Sequence, residues 1–352
     1  MARRAIIGLM PPPPSLTDPF TLGALRVPNR VLLAPLAGIG NWFVRLQAKR
    51  YGAGMAFSEM VSSHAIHYGN EKTCVEMLRI DPRERVGGPV SIQLFGEDPQ
   101  MMRSAAARVV QRGADANDIN MGCPVPKVRR SGAGAALLED PDRAVAVARA
   151  TVEGAGGPDG GVPVTVKLRS GLRAGDTSGF ELAHLLVERA GVAAIAFHPR
   201  SAAVAHKGVP DYELAARLVD SLAAPVILTG GLNEAGHVRA VFASTGAAAV
   251  MLARGALGNP WLFARLVHGR EHDPSPDEVL AELEWTIERA VEHLGSGRAT
   301  RYLRKFYPWY VNRLGLESRA AKRLLTELQG AETLEHASEL FRLGPAPIAL
   351  GF

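Results

Sequence analysis

Gly113-Ala-Asp-Ala-Asn-Asp-Ile-Asn-Met-Gly-Cys-Pro124 is the stretch on which the fold turns. It is a helix stop, a strand and a polar loop in immediate succession. Gly113 follows a helical pattern over 98–112, in which Asp98 is placed to cap and Pro99 takes the first position. Residues 116–120 have the length of a short strand, and Gly122 and Pro124 then break regular structure. Cys123, one of two cysteines, sits in the loop just before Lys127, Arg129 and Arg130. Neighbouring positive charge is the setting of a reactive thiol. The alternative is a small, half-buried apolar residue.

The same unit recurs on both sides of this stretch. Strands are expected at 31–35, 55–58, 90–94, 116–120, 162–168, 193–197, 225–229 and 247–252. Helices are expected at 41–51, 98–112, 141–152, 180–190, 211–222 and 234–244, several closed by glycines such as Gly113, Gly191 and Gly246. Strands alternating with helices at roughly 25–35 residues per unit imply parallel strands with crossover helices. Eight units predict an α/β fold, a closed (β/α)8 TIM barrel, with a doubly wound open sheet as the alternative. No GxGxxG joins the first strand to its helix, which argues against a Rossmann dinucleotide site.

Strand patterns stop after about residue 258. Helices are expected at 274–295 (Trp285, Ile287 and Val291 on the apolar side), 300–314, 318–329 and 332–341, a C-terminal all-helical domain. The predicted division is an extension at 1–17 stiffened by Pro11–Pro14, a barrel at 18–270 and a helical domain at 271–352.

A chain of 352 residues accommodates a barrel of about 250 plus such a module. An apolar fraction of 47% excludes global disorder. Net charge +5 and pI 9.4 suggest a polyanionic partner. Cys74 and Cys123 make no disulfide framework, and no CxxC offers zinc ligands. No apolar run reaches the ~18 residues of a membrane span. A cytoplasmic protein with neither metal nor membrane contact is expected, and nothing implies an obligate protein partner.

In barrels, chemistry collects where strands run into the following loops. Those ends carry Pro35-Leu36-Ala37, Glu59, Gln93, Asn120 with Cys123, Lys167 with Arg169, His198 with Arg200, Thr229-Gly230-Gly231 and Ala253-Arg254-Gly255. Any one of them has an ordinary structural reading; polar groups at one end of nearly every strand do not. The glycines after the last two strands let backbone N–H groups approach a phosphate, and Arg254 adds charge. Lys167 can neutralise an electron-rich ring, and the Gln93 amide can pair with ring carbonyl and nitrogen atoms. FMN fits this set. Sugar phosphates and pyridoxal phosphate fit the phosphate loops, but the first wants paired acids and the second a Schiff-base lysine with a partner for its ring nitrogen.

Between Arg298 and Arg323 the chain is basic: Arg298, Arg301, Arg304, Lys305, Arg313, Arg319, Lys322 and Arg323, against one acid, Glu317. This cluster suits a polyanionic partner. The interleaved Tyr302, Phe306, Tyr307, Trp309 and Tyr310 are expected as helix core. His64 and His67 are expected as surface histidines and Cys74 as structural, while Glu59 either orients a lysine or binds substrate.

Several segments together resemble the dihydrouridine synthase family, flavin enzymes that reduce uridines in tRNA. They are Leu33-Ala-Pro-Leu-Ala-Gly38, Ser58-Glu-Met60, Ser91-Ile-Gln-Leu94, Asp118-Ile-Asn-Met-Gly-Cys-Pro124 with Lys127-Val128, Val166-Lys-Leu-Arg169, His198-Pro-Arg200 and Arg254-Gly-Ala256. The layout most resembles the bacterial B-type branch. The resemblance implies a barrel with FMN, a helical tRNA-binding domain, and NADPH, or NADH in its place, as reductant. It implies that Pro35, Leu36, Ala37, Gln93, Lys167, His198, Thr229, Gly230, Gly231, Ala253 and Arg254 hold FMN. Cys123 would be the proton donor, and Asn120, Lys127, Arg169 and Arg200 would lie near the uracil or its phosphates. The chain departs from the family at Thr229-Gly230-Gly231 (usually asparagine-glycine-aspartate), Pro199 (usually glycine) and Ala253 (usually glycine). Two other readings predict different things. An FMN barrel reductase of a small molecule would bind flavin without needing the basic helices. A non-catalytic tRNA-binding barrel would bind RNA without flavin.

Overall fold

A computed structural model describes residues 13–157 and 159–343. Eight parallel strands close a barrel in sequence order: β3 (Val31–Leu33), β4 (Met55–Ser62), β5 (Val90–Phe95), β6 (Ala116–Met121), β7 (Val164–Arg169), β8 (Ala194–His198), β9 (Val226–Thr229) and β10 (Ala249–Leu252), with β10 returning to β3. All eight expected strands are there, closed rather than open. The crossover helices are α1 (Trp42–Arg50), α3 (Pro99–Gln111), α5 (Pro141–Gly154), α6 (Ser178–Ala190), α7 (Tyr212–Ser221) and α8 (Ala235–Thr245). Two short helices lie in loops, α2 (Ser63–His67) and α4 (Pro126–Arg130), and α9 (Trp261–Val267) follows the barrel. Asp98 accepts the Met101 N–H at 2.9 Å, and Gly191 and Gly246 end their helices in the left-handed region.

Side chains alternate along each strand, so one set faces the helices and the other fills the barrel. The outward set includes Ile119, Met121, Val166, Leu168, Ile195 and Phe197, packed under the helices. The inward set begins apolar: Leu32, Met55, Phe57, Ala116, Ala194, Ile227, Ala249 and Met251 form one buried cluster. A hairpin preceding the barrel, β1 (Phe20–Leu22) and β2 (Leu25–Val27), adds Phe20, Leu22 and Val27 to that cluster and so stoppers the lower end. Most of the extension expected at 1–17 lies outside the described residues. Within it, Leu16 is buried and its carbonyl accepts the Arg30 N–H at 2.9 Å, so packing begins before residue 18.

The C-terminal helices are α10 (Pro276–Leu294), α11 (Ser296–Leu303), α12 (Tyr307–Val311), α13 (Ser318–Gly330) and α14 (Leu334–Leu343). The single helix expected at 300–314 is two, because Pro308 has no N–H to bond back one turn. The buried stripe of α10 is Val279, Glu282, Leu283, Thr286 and Ala290; Trp285, Ile287 and Val291 are half-buried at its margin. Phe306, Tyr307 and Tyr310 are buried core residues. The module packs on α1: Gln47 Nε2 donates to Glu282 and Tyr310 at 2.9 Å, Tyr51 donates to Glu282 at 2.7 Å, and Asn41 Nδ2 donates to the Tyr302 hydroxyl at 2.6 Å. Among the described residues no helix is long and apolar enough to cross a membrane.

Candidate active site

Further along the inward set, the barrel turns polar. Asp118 and Asn120 on β6, Gln93 on β5, Thr165 and Lys167 on β7 and His198 on β8 succeed the apolar layer in the same alternation. Above them lies a cavity of about 410 Å³, within the roughly 300–1,000 Å³ of small-molecule sites. Fifteen of the sixteen residues to which the family resemblance gives a role line it: Pro35, Leu36, Ala37, Gln93, Asn120, Cys123, Lys167, Arg169, His198, Arg200, Thr229, Gly230, Gly231, Ala253 and Arg254. Lys127 does not; it is exposed on α4 beside Arg129 and Arg130. Met60, His206 and Asn233 also line the cavity and were not foreseen. Met60 follows a bulge in β4 after Phe57, which no alternation pattern reveals.

Cys123 is half-buried at the rim. Its N–H, and that of Gly122, donate to Asn120 Oδ1 at 2.9 and 3.2 Å, so the asparagine fixes the turn carrying the thiol. Arg169 holds the same turn from the other side. Its Nε donates to Gly122 O at 2.9 Å, and Nη1 to Ser201 O and Ala205 O at 3.1 and 2.8 Å. Ala205 sits at φ 50, a strained conformation for a residue with a Cβ, and its carbonyl is one of those Arg169 holds. Burial brings the Arg169 guanidinium down to about 10, still charged at neutral pH. Arg200 donates to Gly208 O at 2.5 Å.

Lys167 makes no ion pair among the described residues. Burial, then the charge of Arg169, brings its ammonium down to about 8. His198 is buried, and its Nε2 has no partner. Burial, reinforced by Lys167, Arg169 and Arg200, drives the imidazole far below its ordinary range, so it is neutral. Beside it, Gly230 and Gly231 take φ 103 and 78, where residues with side chains are strained. A Cβ on Gly230 would collide with the His198 ring, and one on Gly231 would sit 2.5 Å from the Tyr212 hydroxyl. That hydroxyl donates to Gly230 O at 2.9 Å, so Tyr212 occupies the space an aspartate at 231 would need. Gly255 leaves no room for a Cβ between Leu232 O and the Asn233 backbone. Thr229 Oγ1 donates to Met251 O at 3.0 Å and ties β9 to β10. Glu59 accepts the Gly38 N–H at 2.8 Å, and Lys305 donates to Gly38 O at 3.2 Å, so Glu59 braces the loop after β3. Among the described residues no three His, Cys, Asp or Glu side chains gather as a metal site.

The family model for dihydrouridine synthase matches residues 32–342. The tRNA-dihydrouridine synthase B of Pseudomonas aeruginosa is 34% identical over 298 residues, covering 82% of this chain and 86% of that protein. That of Vibrio vulnificus is 34% identical over 297 residues, covering 82% and 88%. Among solved structures, morphinone reductase in complex with tetrahydroNAD superposes with a TM-score of 0.55 at 19% identity, over 76% of this chain and 94% of its own, a likeness of fold. With the match running from the first barrel strand to the last helix, the chain belongs to the dihydrouridine synthase family.

Proposed function

We propose that this enzyme reduces a uridine in tRNA to 5,6-dihydrouridine, using FMN held in the cavity and NADPH, or NADH, as reductant. The observation that carries the reading is one cavity holding a positioned cysteine, a lysine without an ion pair among the described residues, a buried histidine with a free ring nitrogen and a glycine-lined wall beside Arg254. These groups fit FMN. Gly230 and Gly231 line the cavity with bare backbone because His198 and Tyr212 pack where their Cβ atoms would be, and Arg254 stands exposed beside them as the charge a phosphate would meet. His198 Nε2 offers a buried hydrogen-bonding atom in need of a partner. Pro35, Leu36, Ala37, Thr229 and Ala253 complete the walls.

When bound, the flavin supplies the hydride. The residues supply the rest. Lys167 places a positive charge against an electron-rich ring in a low-dielectric site. Saturating the C5–C6 bond of uracil needs a hydride at one carbon and a proton at its neighbour. The Cys123 thiol, held at the rim by Asn120, gives up that proton as general acid. Asn120, Arg169 and Arg200 shape the uracil's surroundings through the loops they hold.

The uridine must be splayed out of folded RNA to enter the cavity. Lys127, Arg129 and Arg130 stand exposed by the rim to meet its phosphates. In the helical module Arg298 is paired with Glu76 and Arg323 with Glu327, while Arg301, Arg319 and Lys322 are exposed without an ion pair among the described residues. Those three carry the electrostatic grip on RNA. A tRNA substrate and two unbridged cysteines accord with a cytoplasmic enzyme.

An anaerobic experiment tests this reading. Purified protein should show flavin absorbance that bleaches with NADPH, and the reduced enzyme should then form dihydrouridine in tRNA lacking the modification. Bleaching without dihydrouridine would redirect the reading to a small-molecule reductase.

A further inference from the structure

Asp118 takes no part in the chemistry proposed above, yet it is fully buried at the centre of the polar layer. It lies opposite Gln93 on one neighbouring strand and Thr165 on the other. Thr165 Oγ1 donates to Asp118 Oδ1 at 2.5 Å and Gln93 Nε2 to Oδ2 at 2.6 Å. Gln93 Oε1 in turn accepts from Asn120 Nδ2 at 2.9 Å, and Asn120 Oδ1 accepts the Gly122 and Cys123 N–H groups. A single hydrogen-bonded chain therefore runs from Asp118 through two amides to the turn that carries the thiol.

The chain has a direction, and its two ends set it. An ionised carboxylate can only accept, and a backbone N–H can only donate. A proton taken up by Asp118 fits on Oδ1, towards the Thr165 hydroxyl, which can accept as well as donate, and Oδ2 still accepts from Gln93. Between an accepting end and a donating end, two primary amides fit in one orientation alone, each nitrogen towards Asp118 and each oxygen towards the Cys123 turn. Either amide turned over would set donor against donor or acceptor against acceptor in a buried site, where an unmade hydrogen bond is costly.

We infer that Asp118 is a positioning residue for Cys123: as the accepting terminus it orients Gln93 and Asn120, and through them it holds the turn that presents the thiol. The inference deepens the proposed function, but its test does not depend on it. With asparagine at 118 the terminus can donate as well as accept, so it no longer enforces one order: its oxygen can keep Gln93 Nε2 while its nitrogen meets the Thr165 hydroxyl, or its nitrogen can face Gln93 Oε1 and both amides turn over together. Asn120 would then present its nitrogen to the Gly122 and Cys123 N–H groups, and the turn would lose its cap. Aspartate at 120 would leave carboxylates at both ends, with only one nitrogen on Gln93 between them. The double exchange restores order in reverse. The amide introduced at 118 donates to Gln93 Oε1, Gln93 Nε2 donates to the carboxylate introduced at 120, and that carboxylate accepts the two N–H groups.

The experiment compares wild type, Asp118→Asn, Asn120→Asp and the variant carrying both exchanges. Its readouts are amide hydrogen exchange in the segment 119–126, the rate of Cys123 alkylation by iodoacetamide, and the melting temperature. Each single variant should speed exchange of that segment about tenfold, the scale of one buried hydrogen bond, and shift the alkylation rate. The double variant should return exchange and alkylation to within about twofold of wild type. Singles too unstable to assay, rescued in melting temperature by the double, support the inference equally. A double variant no better than the singles in exchange or in folding overturns it. So does Asn120→Asp behaving as wild type, which is what a need for nothing more than negative charge near Lys167 predicts. Loss of tRNA reduction with this pattern intact would count against the proposed function alone.

Discussion

The floor and the mouth of the barrel are built by the same strands two residues apart, and they differ in kind. On β6, β8 and β9 the floor has Ala116, Ala196 and Ile227, all fully buried; the mouth has Asp118, His198 and Thr229. At the floor, burial is itself the stabilising term, and the β1–β2 hairpin excludes water. At the mouth, burial penalises charge and must be offset by hydrogen bonds, and the same burial tunes Lys167, Asp118 and His198 away from their ordinary states. Stability and chemistry are segregated along one axis, so a mutation can strike one and spare the other.

The sharpest way to break that comparison is at the rim. Cys123→Ala should lower dihydrouridine formation by about 10²–10⁴-fold, the range of general acid catalysis, with flavin content and melting temperature unchanged. Mass spectrometry of tRNA nucleosides reads the product, and unaltered turnover would remove Cys123 from the mechanism. At the floor, Phe57→Ala should cost about 3–5 kcal/mol in denaturant unfolding by opening a cavity. Flavin affinity in whatever remains folded should hold. Lys167→Met should weaken FMN binding by about ten- to a hundredfold, the worth of a charge-assisted bond, as seen by flavin release on dilution. On the helical module, Lys322→Ala should lower the slope of log affinity for tRNA against log salt by about one unit or less, and leave flavin reduction by NADPH untouched.

The smallest effect is one of pH. Burial raises the Asp118 carboxyl from 3.8 to about 7. Between those values the native state keeps a proton that the unfolded chain has lost, so Asp118 makes unfolding free energy fall as pH rises through that window. Asp118→Asn should lack that component. The difference between the two stability–pH curves measures it, and parallel curves would show that Asp118 has an ordinary affinity for its proton.

The sequence revealed the barrel because its signals are local and repeated: capping residues, terminal glycines and short apolar strands. It revealed the cavity lining because strand ends in a barrel converge whatever their spacing in the chain. It concealed commitments. Arg169 and Asn120 carry polar groups suited to substrate, but the fold spends most of them on Gly122, Cys123, Ser201 and Ala205, and those acceptors become neighbours only when β6, β7 and β8 align. Arg304 and Lys305 likewise donate to Ala331 O and Gly38 O, which no basic count distinguishes from a free surface. The hairpin escaped because two three-residue strands are too short for alternation to register. Asp118 and Thr165 were in phase with Asn120 and Lys167 all along; alternation was the signal that could have found them.

Closure of the barrel joins the two ends of the domain: Val31 pairs with Val250, and Arg30 donates to Ala248 O across 218 positions. During synthesis the first barrel strand must therefore wait for the last. Until then the nascent sheet has two open edges, each a template for the wrong strand, so slow closure and exposure to aggregation are expected to fall together, late in translation.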